Sequence, residues 1–301
     1  MIELESKGLS LSLSDPTGED AYYQGTRFDR SGAFASIKGW AEEWFDDHTR
    51  TRHDHICGCP EEFGPIALKC GKPLAKQDYN SLKDNFDESD GLLKIGVGLI
   101  DKPAGTGYER FGFLRLLDPG KWTVRTEGRG SVIFTHLLNG FYSYTKRISM
   151  AGDSSFEIVH FLKNLSESEL VTDCYDHNFF TLGRQEIDSD RKIDFPFVPM
   201  GQWRSDTVSA SFEGNGIRFS RRIMPGEKAW INFFPSGGAV SGKIFTLSGN
   251  GISVSAFCDR PVTQGVFWSN HRVACVEPYI DVRVKPGGTM EWTLKYLFNK
   301  I

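Results

Sequence analysis

The chain has 301 residues, with 39 acidic and 35 basic side chains and a formal charge of −4. That length can enclose a large hydrophobic core, and the faint negative balance argues against a nucleic-acid binder, which needs clustered positive charge to displace phosphate counterions. Charged residues at 25% and hydrophobic ones at 39% fit a folded globule, while 32 glycines and 13% aromatic residues favour strands joined by tight turns over a helical bundle.

The opening stretch MIELESKGLSLSLSDPTGED lacks a basic segment followed by an apolar run, so no secretory signal is expected. Nowhere do 18 apolar residues follow one another, so no membrane-spanning helix is expected. Cys57, Cys59, Cys70, Cys174, Cys258 and Cys275 are too sparse for a disulfide scaffold and read as reduced thiols of a cytoplasmic protein.

Along the chain, one stretch near Lys76 to Phe86 could be helical. Elsewhere alternation of period two dominates. Strands are predicted at Ser131–Leu137, Phe156–Leu162, Val208–Phe212, Ile217–Ser220, Ile252–Phe257 and Trp292–Phe298. Turn signals separate them: Asp118-Pro119-Gly120, Ala151-Gly152-Asp153, Glu213-Gly214-Asn215-Gly216, Pro225-Gly226-Glu227 and Pro286-Gly287-Gly288. Many short strands without a linker or repeat predict an all-β sandwich or barrel, a single domain over residues 1–301.

Two segments could carry chemistry. In Val171-Thr172-Asp173-Cys174-Tyr175-Asp176-His177-Asn178-Phe179-Phe180-Thr181-Leu182 a histidine stands among acids, an amide and aromatic rings. Histidine can hold or release a proton near neutrality, and an aromatic floor beside polar donors suits a sugar ring. The plainer alternative is a core histidine satisfied by its neighbours. In Val273-Ala274-Cys275-Val276-Glu277-Pro278-Tyr279 a glutamate sits in an apolar strand. A buried carboxylate is costly unless it is paired, which suggests a task, although an edge strand ending at Pro278 would leave Glu277 solvated.

Together these segments resemble the galactose mutarotases (aldose 1-epimerases). Asp176-His177-Asn178-Phe179-Phe180-Thr181-Leu182 is similar to that family's His-x-Tyr-Phe-Asn-Leu signature. Val276-Glu277-Pro278, followed by Val284-Lys285-Pro286-Gly287-Gly288 and a strand through Tyr296, is similar to its C-terminal Leu-Glu-Thr segment, Leu-x-Pro-Gly-Glu turn and last strand. The resemblance implies a large antiparallel β-supersandwich, with His177 as general acid and Glu277 as general base across one cleft of the larger sheet. It further implies a sugar or sugar derivative as small-molecule partner, and neither nucleic acid nor membrane.

The family's Gly-Arg and His-Gly-Gly contexts, which hold sugar hydroxyls, are missing. The chain instead carries Tyr23-Gln24-Gly25-Thr26-Arg27, Gly58-Cys59-Pro60-Glu61-Glu62 and Leu93-Lys94-Ile95-Gly96, and so looks like the divergent bacterial mutarotase-like proteins. Arg27, Glu61, Glu62 and Lys94 are expected to replace the missing contacts, beside Asp176, Asn178, Phe180 and Trp268. Alternation on a strand allows at most one of Glu61 and Glu62 to face the site.

Mutarotation needs one acid and one base about the anomeric carbon, so no cofactor and no metal are expected at the pair. The segment His53-Asp54-His55-Ile56-Cys57-Gly58-Cys59 offers metal-binding side chains without a standard zinc spacing. Arg204, Ser205 and one of Arg221 and Arg222 could favour an anionic sugar. The glycines of Lys94-Ile95-Gly96-Val97-Gly98 do not make a nucleotide loop, because no helical segment follows. Two other functions remain compatible with such a fold: a sugar-binding protein without turnover, and a glycan hydrolase or lyase.

Overall fold

The computed structural model describes residues 1–19, 21–39, 42–46, 61–74, 89–102, 108 and 114–301, with backbone only for 42–46. The helix expected over 76–86 and the His53–Cys59 cluster lie outside the described residues. Within them the chain forms 24 strands and no helix. No helix among the described residues is long and apolar enough to cross a membrane. Cys70, Cys174, Cys258 and Cys275 form no disulfide.

Strands β1 (Ile2–Glu5), β2 (Leu9–Leu13), β3 (Phe34–Gly39) and β4 (Glu42–Asp46) pair antiparallel in that order. After β5 (Glu61–Phe63), the strands β6 (Ile66–Lys69), β7 (Lys72–Pro73), β8 (Gly91–Lys94), β9 (Gly98–Asp101) and β10 (Leu116–Asp118) make a five-stranded sheet, ordered β10-β9-β8-β6-β7. The long antiparallel strands follow: β11 (Lys121–Glu127), β12 (Ser131–Leu138), β13 (Tyr142–Gly152), β14 (Ser155–Asn164) and β15 (Leu170–Asp176). Next come β16 (Lys192–Asp194), β17 (Pro199–Trp203), β18 (Ala210–Glu213), β19 (Gly216–Phe219) and β20 (Ala229–Pro235). The series ends with β21 (Val240–Gly249), β22 (Ile252–Ser269), β23 (Ala274–Val284) and β24 (Thr289–Lys300). The predicted strands at 131–137, 156–162, 217–220, 252–257 and 292–298 are all present. The one expected from Val208 begins two residues late, because Ser209 takes a left-handed φ of 63° that an extended strand cannot continue through.

β22 is the hinge of the architecture. Its first half, Ile252–Cys258, pairs with β24 and β21, and its second half, Val262–Ser269, pairs with β23 and β20. Between them lies the exposed Asp259-Arg260-Pro261, where proline lacks the N–H that a central ladder requires. One layer therefore runs β11-β12-β13-β14-β24-β22-β21-β16-β19-β18, and the other β5-β15-β23-β22-β20-β17. The layers face each other through aromatic contacts: Phe63 of β5 meets Tyr144 of β13 and Trp292 of β24 edge-on, with centroids 5.5 and 6.1 Å apart. This all-β supersandwich is the fold class expected.

A tyrosine of the first layer fixes a loop that serves the second. The Tyr142 hydroxyl accepts from the Gly96 N–H at 3.1 Å and lies 3.1 Å from the Lys94 carbonyl and 3.0 Å from His136 Nδ1, so its single hydrogen goes to one or the other of those two acceptors at a time. Gly96 has φ +74°, and a Cβ there would lie 2.2 Å from Asp29 Oδ1, so only glycine fits this close approach. His136 stacks on Trp122 with centroids 4.1 Å apart, and its Nε2 donates to the Pro119 carbonyl at 2.9 Å. Burial pushes the His136 pKa from 6.5 down to about 4. Below pH 6.5 the unfolded chain therefore binds a proton that the folded chain refuses, and stability declines as pH falls from about 6.5 to about 4. The full loss is about 3 kcal/mol at 1.36 kcal/mol per unit. Urea titrations at pH 7 and pH 4.5 should show a smaller loss for His136→Gln than for the wild type, and equal losses would remove His136 as the cause.

Candidate functional site

The ladder of the second layer assembles the site by register. β5 pairs with β15 so that Tyr175 lies opposite Glu62 and Asp176 opposite Glu61. β15 pairs with β23 so that Tyr175 lies opposite Tyr279, and β23 pairs with β22 so that Cys275 lies opposite Trp268. Because side chains alternate across a sheet, Glu62, Tyr175, Cys275, Glu277, Tyr279 and Trp268 share one face. His177 and Phe179 continue that alternation just beyond the end of β15.

On this face His177 and Glu277 meet, with Nε2 and Oε1 3.4 Å apart across 100 residues of sequence. Their side chains keep 5% and 7% of their exposure, so the contact is nearly closed to bulk water. It is also long for an N–H···O bond, and a ligand that inserts its own oxygens gives up little by opening it. The Tyr279 hydroxyl lies 3.3 Å from Glu277 Oε2, and Cys275 Sγ lies 3.6 Å from Oε1. Aromatic walls hold the imidazole: Phe179 meets it edge-on at 4.0 Å between centroids and Phe28 at 5.1 Å. Phe179 in turn packs on half-buried Trp268 at 5.4 Å.

A polar cradle adjoins the pair through two stacked tyrosines, Tyr175 and Tyr279, with centroids 4.4 Å apart. The Tyr175 hydroxyl donates to Glu62 and accepts from the Arg27 guanidinium at 3.3 Å. Arg27 also donates to Glu62 Oε2 at 2.7 Å, and Lys94 Nζ reaches Glu62 Oε1 at 3.4 Å and the Tyr108 hydroxyl at 2.8 Å. All three charges are buried. Glu62 thus holds two cations beside the face that carries His177 and Glu277.

The structure therefore groups His177, Glu277, Arg27, Glu62, Lys94 and Trp268. It does not bring Glu61, Asp176, Asn178 or Phe180 to that face, which corrects the expectation that these four contact the ligand. The reason is alternation: each is one residue out of phase with a site residue. Glu61 turns between the layers to Lys146 and to His160 Nε2, the latter at 2.7 Å. Asp176 and Asn178 both meet the Tyr296 hydroxyl, at 2.5 and 2.7 Å, and Phe180 packs against Tyr296 and Phe298. One hydroxyl hydrogen cannot serve both acceptors. Burial, reinforced by the charge of Glu61, raises the Asp176 pKa well above its ordinary value and so favours the neutral acid, the form in which Asp176 can donate to Tyr296 and leave the tyrosine hydrogen for Asn178. The site residues not foreseen are Tyr175, Tyr279, Cys275, Phe28 and Tyr108. The first three stand two residues from His177 or Glu277, a spacing that alternation alone would have placed on their face. Arg204 lies flat on Trp230 at 4.1 Å, whereas Arg221 is exposed and paired with Glu227.

No known family's sequence profile matches the chain, and no curated protein matches it in sequence. Solved structures do match. A candidate aldose 1-epimerase from Escherichia coli K12 superposes with a TM-score of 0.60 at 9% identity, over 100% of this chain and 99% of that one. A galactose mutarotase-like protein from Clostridium acetobutylicum gives 0.58 at 12% identity over 99% and 95% of the two chains, and one from Lactobacillus casei gives 0.56 at 14% over 99% and 100%. The chain thus has the galactose mutarotase-like fold, with little sequence identity to these structures.

The cradle makes a stability prediction. Removing one partner of a buried ion pair typically costs about 3–5 kcal/mol. Glu62→Ala should therefore lower unfolding stability by about that amount, because Arg27 and Lys94 lose the carboxylate they share. A urea midpoint within error of the wild type would show that solvent, and not Glu62, balances the two cations.

Proposed function

We propose that the protein interconverts the anomers of a sugar by acid–base ring opening, with His177 as acid and Glu277 as base. The single observation that carries this reading is the contact between Nε2 and Oε1 at 3.4 Å on a face flanked by aromatic rings and by Arg27, Glu62 and Lys94. The names of the fold relatives support it.

The chemistry follows from that geometry. The anomeric hydroxyl and the ring oxygen are bonded to the same carbon, so two neighbouring side chains can address both. Glu277 takes the proton of the anomeric hydroxyl while protonated His177 gives one to the ring oxygen, and the bond from the anomeric carbon to the ring oxygen breaks to leave an aldehyde and a free hydroxyl. After rotation about the adjacent carbon–carbon bond, that hydroxyl attacks the other face, its proton returns to His177, and Glu277 gives its proton to the new anomeric oxygen. Protons and electrons balance over the cycle, with no net change in either side chain. Each partner supplies roughly 10²–10⁴-fold. Phe28, Phe179 and Trp268 offer apolar surface for the sugar's C–H face, and the Glu62 cradle offers directed hydrogen bonds that set its orientation.

Anomer exchange measured by NMR over a panel of aldoses and acidic or phosphorylated sugars is the test. On a sugar whose exchange the wild type accelerates, Glu277→Gln and His177→Asn should each remove nearly all of the acceleration while binding stays within a few-fold. The double variant should be little worse than either single one, since both groups act in one proton movement. Near-wild-type exchange in both single variants would overturn the pair. Tight binding with no accelerated exchange on any sugar would instead assign a binding protein.

A further inference from the structure

Cys275 plays no part in that cycle, yet it stands on the same face of β23 as Glu277, two residues away, and its sulfur points at the carboxylate. His177 Nε2, Cys275 Sγ and one oxygen of Glu277 all lie within 4.8 Å of one another, and all three residues are buried. We propose that these three side chains form a binding site for a single thiophilic divalent cation of the zinc type, and that its occupancy silences the acid–base pair.

Geometry and donor chemistry carry this. Zinc bonds histidine nitrogen and carboxylate oxygen at about 2.0–2.2 Å and thiolate sulfur at about 2.3 Å, so ligand atoms around a tetrahedral ion sit roughly 3.3–3.6 Å apart. The observed separations are 3.4 Å from Nε2 to Oε1 and 3.6 Å from Sγ to Oε1. Two of the three edges thus already match a tetrahedral ion, and the third, from Nε2 to Sγ, lies within 4.8 Å. One nitrogen, one sulfur and one carboxylate oxygen select zinc or cobalt over magnesium or calcium, which prefer oxygen alone. Three protein ligands leave a fourth position open, as in zinc sites that exchange their ligands with solvent or substrate.

The surroundings reinforce the ligands. The Tyr279 hydroxyl holds the second carboxylate oxygen of Glu277, and Phe179 and Phe28 fix the imidazole plane. Such outer contacts orient metal ligands and raise affinity. Loading releases to solvent the thiol proton of Cys275 and any proton carried on His177 Nε2. It also occupies the nitrogen of His177 and the oxygen of Glu277 that the sugar reaction uses, so metal and sugar exclude one another. This second half rests on the acid–base reading, whereas the binding site does not.

The test uses full-length protein freed of metal by chelator dialysis. Zinc titrated calorimetrically should bind with one equivalent lost in Cys275→Ser and in His177→Ala, a weakening greater than the roughly 10–100-fold that loss of an outer contact causes. Cobalt(II) should give a thiolate charge-transfer band and intense tetrahedral visible bands. Both should vanish in Cys275→Ser and persist in the double variant Cys57→Ser, Cys59→Ser, which controls for the other thiol segment. Circular dichroism identifies any variant that fails to fold, and the cobalt spectrum of His177→Ala then serves in place of Cys275→Ser. Absence of stoichiometric zinc, or zinc and cobalt spectra unchanged by both substitutions, would overturn the site. Where the metal-free protein exchanges anomers, zinc should abolish exchange and chelator should restore it, and undiminished exchange at saturating zinc would overturn the silencing. A protein that binds zinc as described but exchanges no sugar even without metal would retain the site and refute the acid–base reading.

Discussion

The contact on which the two layers depend is the buried ion pair between Glu61 of β5 and Lys146 of β13. Both side chains are fully enclosed, and charges without partners could not remain there. The neighbours make the arrangement tenable: Lys146 also donates to the Ser31 carbonyl at 2.8 Å, Glu61 accepts from His160, and His160 stacks on Trp292 at 4.5 Å. Ionic contacts of this kind contribute less net stability than apolar packing of equal volume, but they tolerate few alternative alignments. A one-residue slip of β5 against β15 would turn Glu61 out and Glu62 in, and would exchange which carboxylate faces the interlayer lysine and which faces Arg27 and Lys94.

Three carboxylates compete for that one lysine. Burial alone raises Glu61, but Lys146 and His160 outweigh it and hold Glu61 below its ordinary value. Asp29 lies farther from Lys146, at 3.5 Å, and burial together with the charge of Glu61 leaves its pKa raised. Asp176 is raised still more clearly, for the same two reasons. Lys146, although burial opposes its charge, is held in the charged state by Glu61 and Asp29. The interlayer space thus keeps one lysine–glutamate pair ionised and favours the neutral form of its other acids, with the backbone of the second layer between them and Glu277. Two sets of carboxylates lie a sheet's thickness apart, one serving assembly and the other facing the site.

The strands were legible in the sequence because each is a local pattern of period two, and His177 and Glu277 were legible because each interrupts an aromatic or apolar run. Which neighbour accompanies them was harder to read. Alternation places Tyr175 and Tyr279 on their face, yet these look like ordinary core aromatics until the pairing of β15 with β23 stacks them. Glu61 and Glu62 are adjacent and chemically identical, and only the register of β5 decides which one meets Lys146. Lys146 shares the inward phase of Tyr142, Tyr144 and Ile148, but nothing local shows which carboxylate would meet it there. These are long-range facts, set by which strands pair, and a linear pattern does not contain them.

Asn178 illustrates how a residue can matter to the site without touching a ligand. β15 ends at Asp176, and beyond it the chain turns tightly, with the Phe179 N–H on the His177 carbonyl and the Phe180 N–H on the Asn178 carbonyl, both at 3.1 Å. Such a turn alone would leave the His177 side chain loosely aimed. Here it is tied to β23 at two points: Phe180 and Ala274 exchange backbone bonds at 3.2 Å, and the Asn178 amide donates to the Val276 carbonyl at 2.9 Å. Val276 is the residue before Glu277, which is itself paired with Val266 of β22. The turn that carries His177 is therefore fastened to the strand that carries Glu277. The separation of His177 Nε2 from Glu277 Oε1 is set by backbone and amide hydrogen bonds on the core side of the sheet and not by their own long contact, so a ligand can part the two side chains without disturbing what holds them in place.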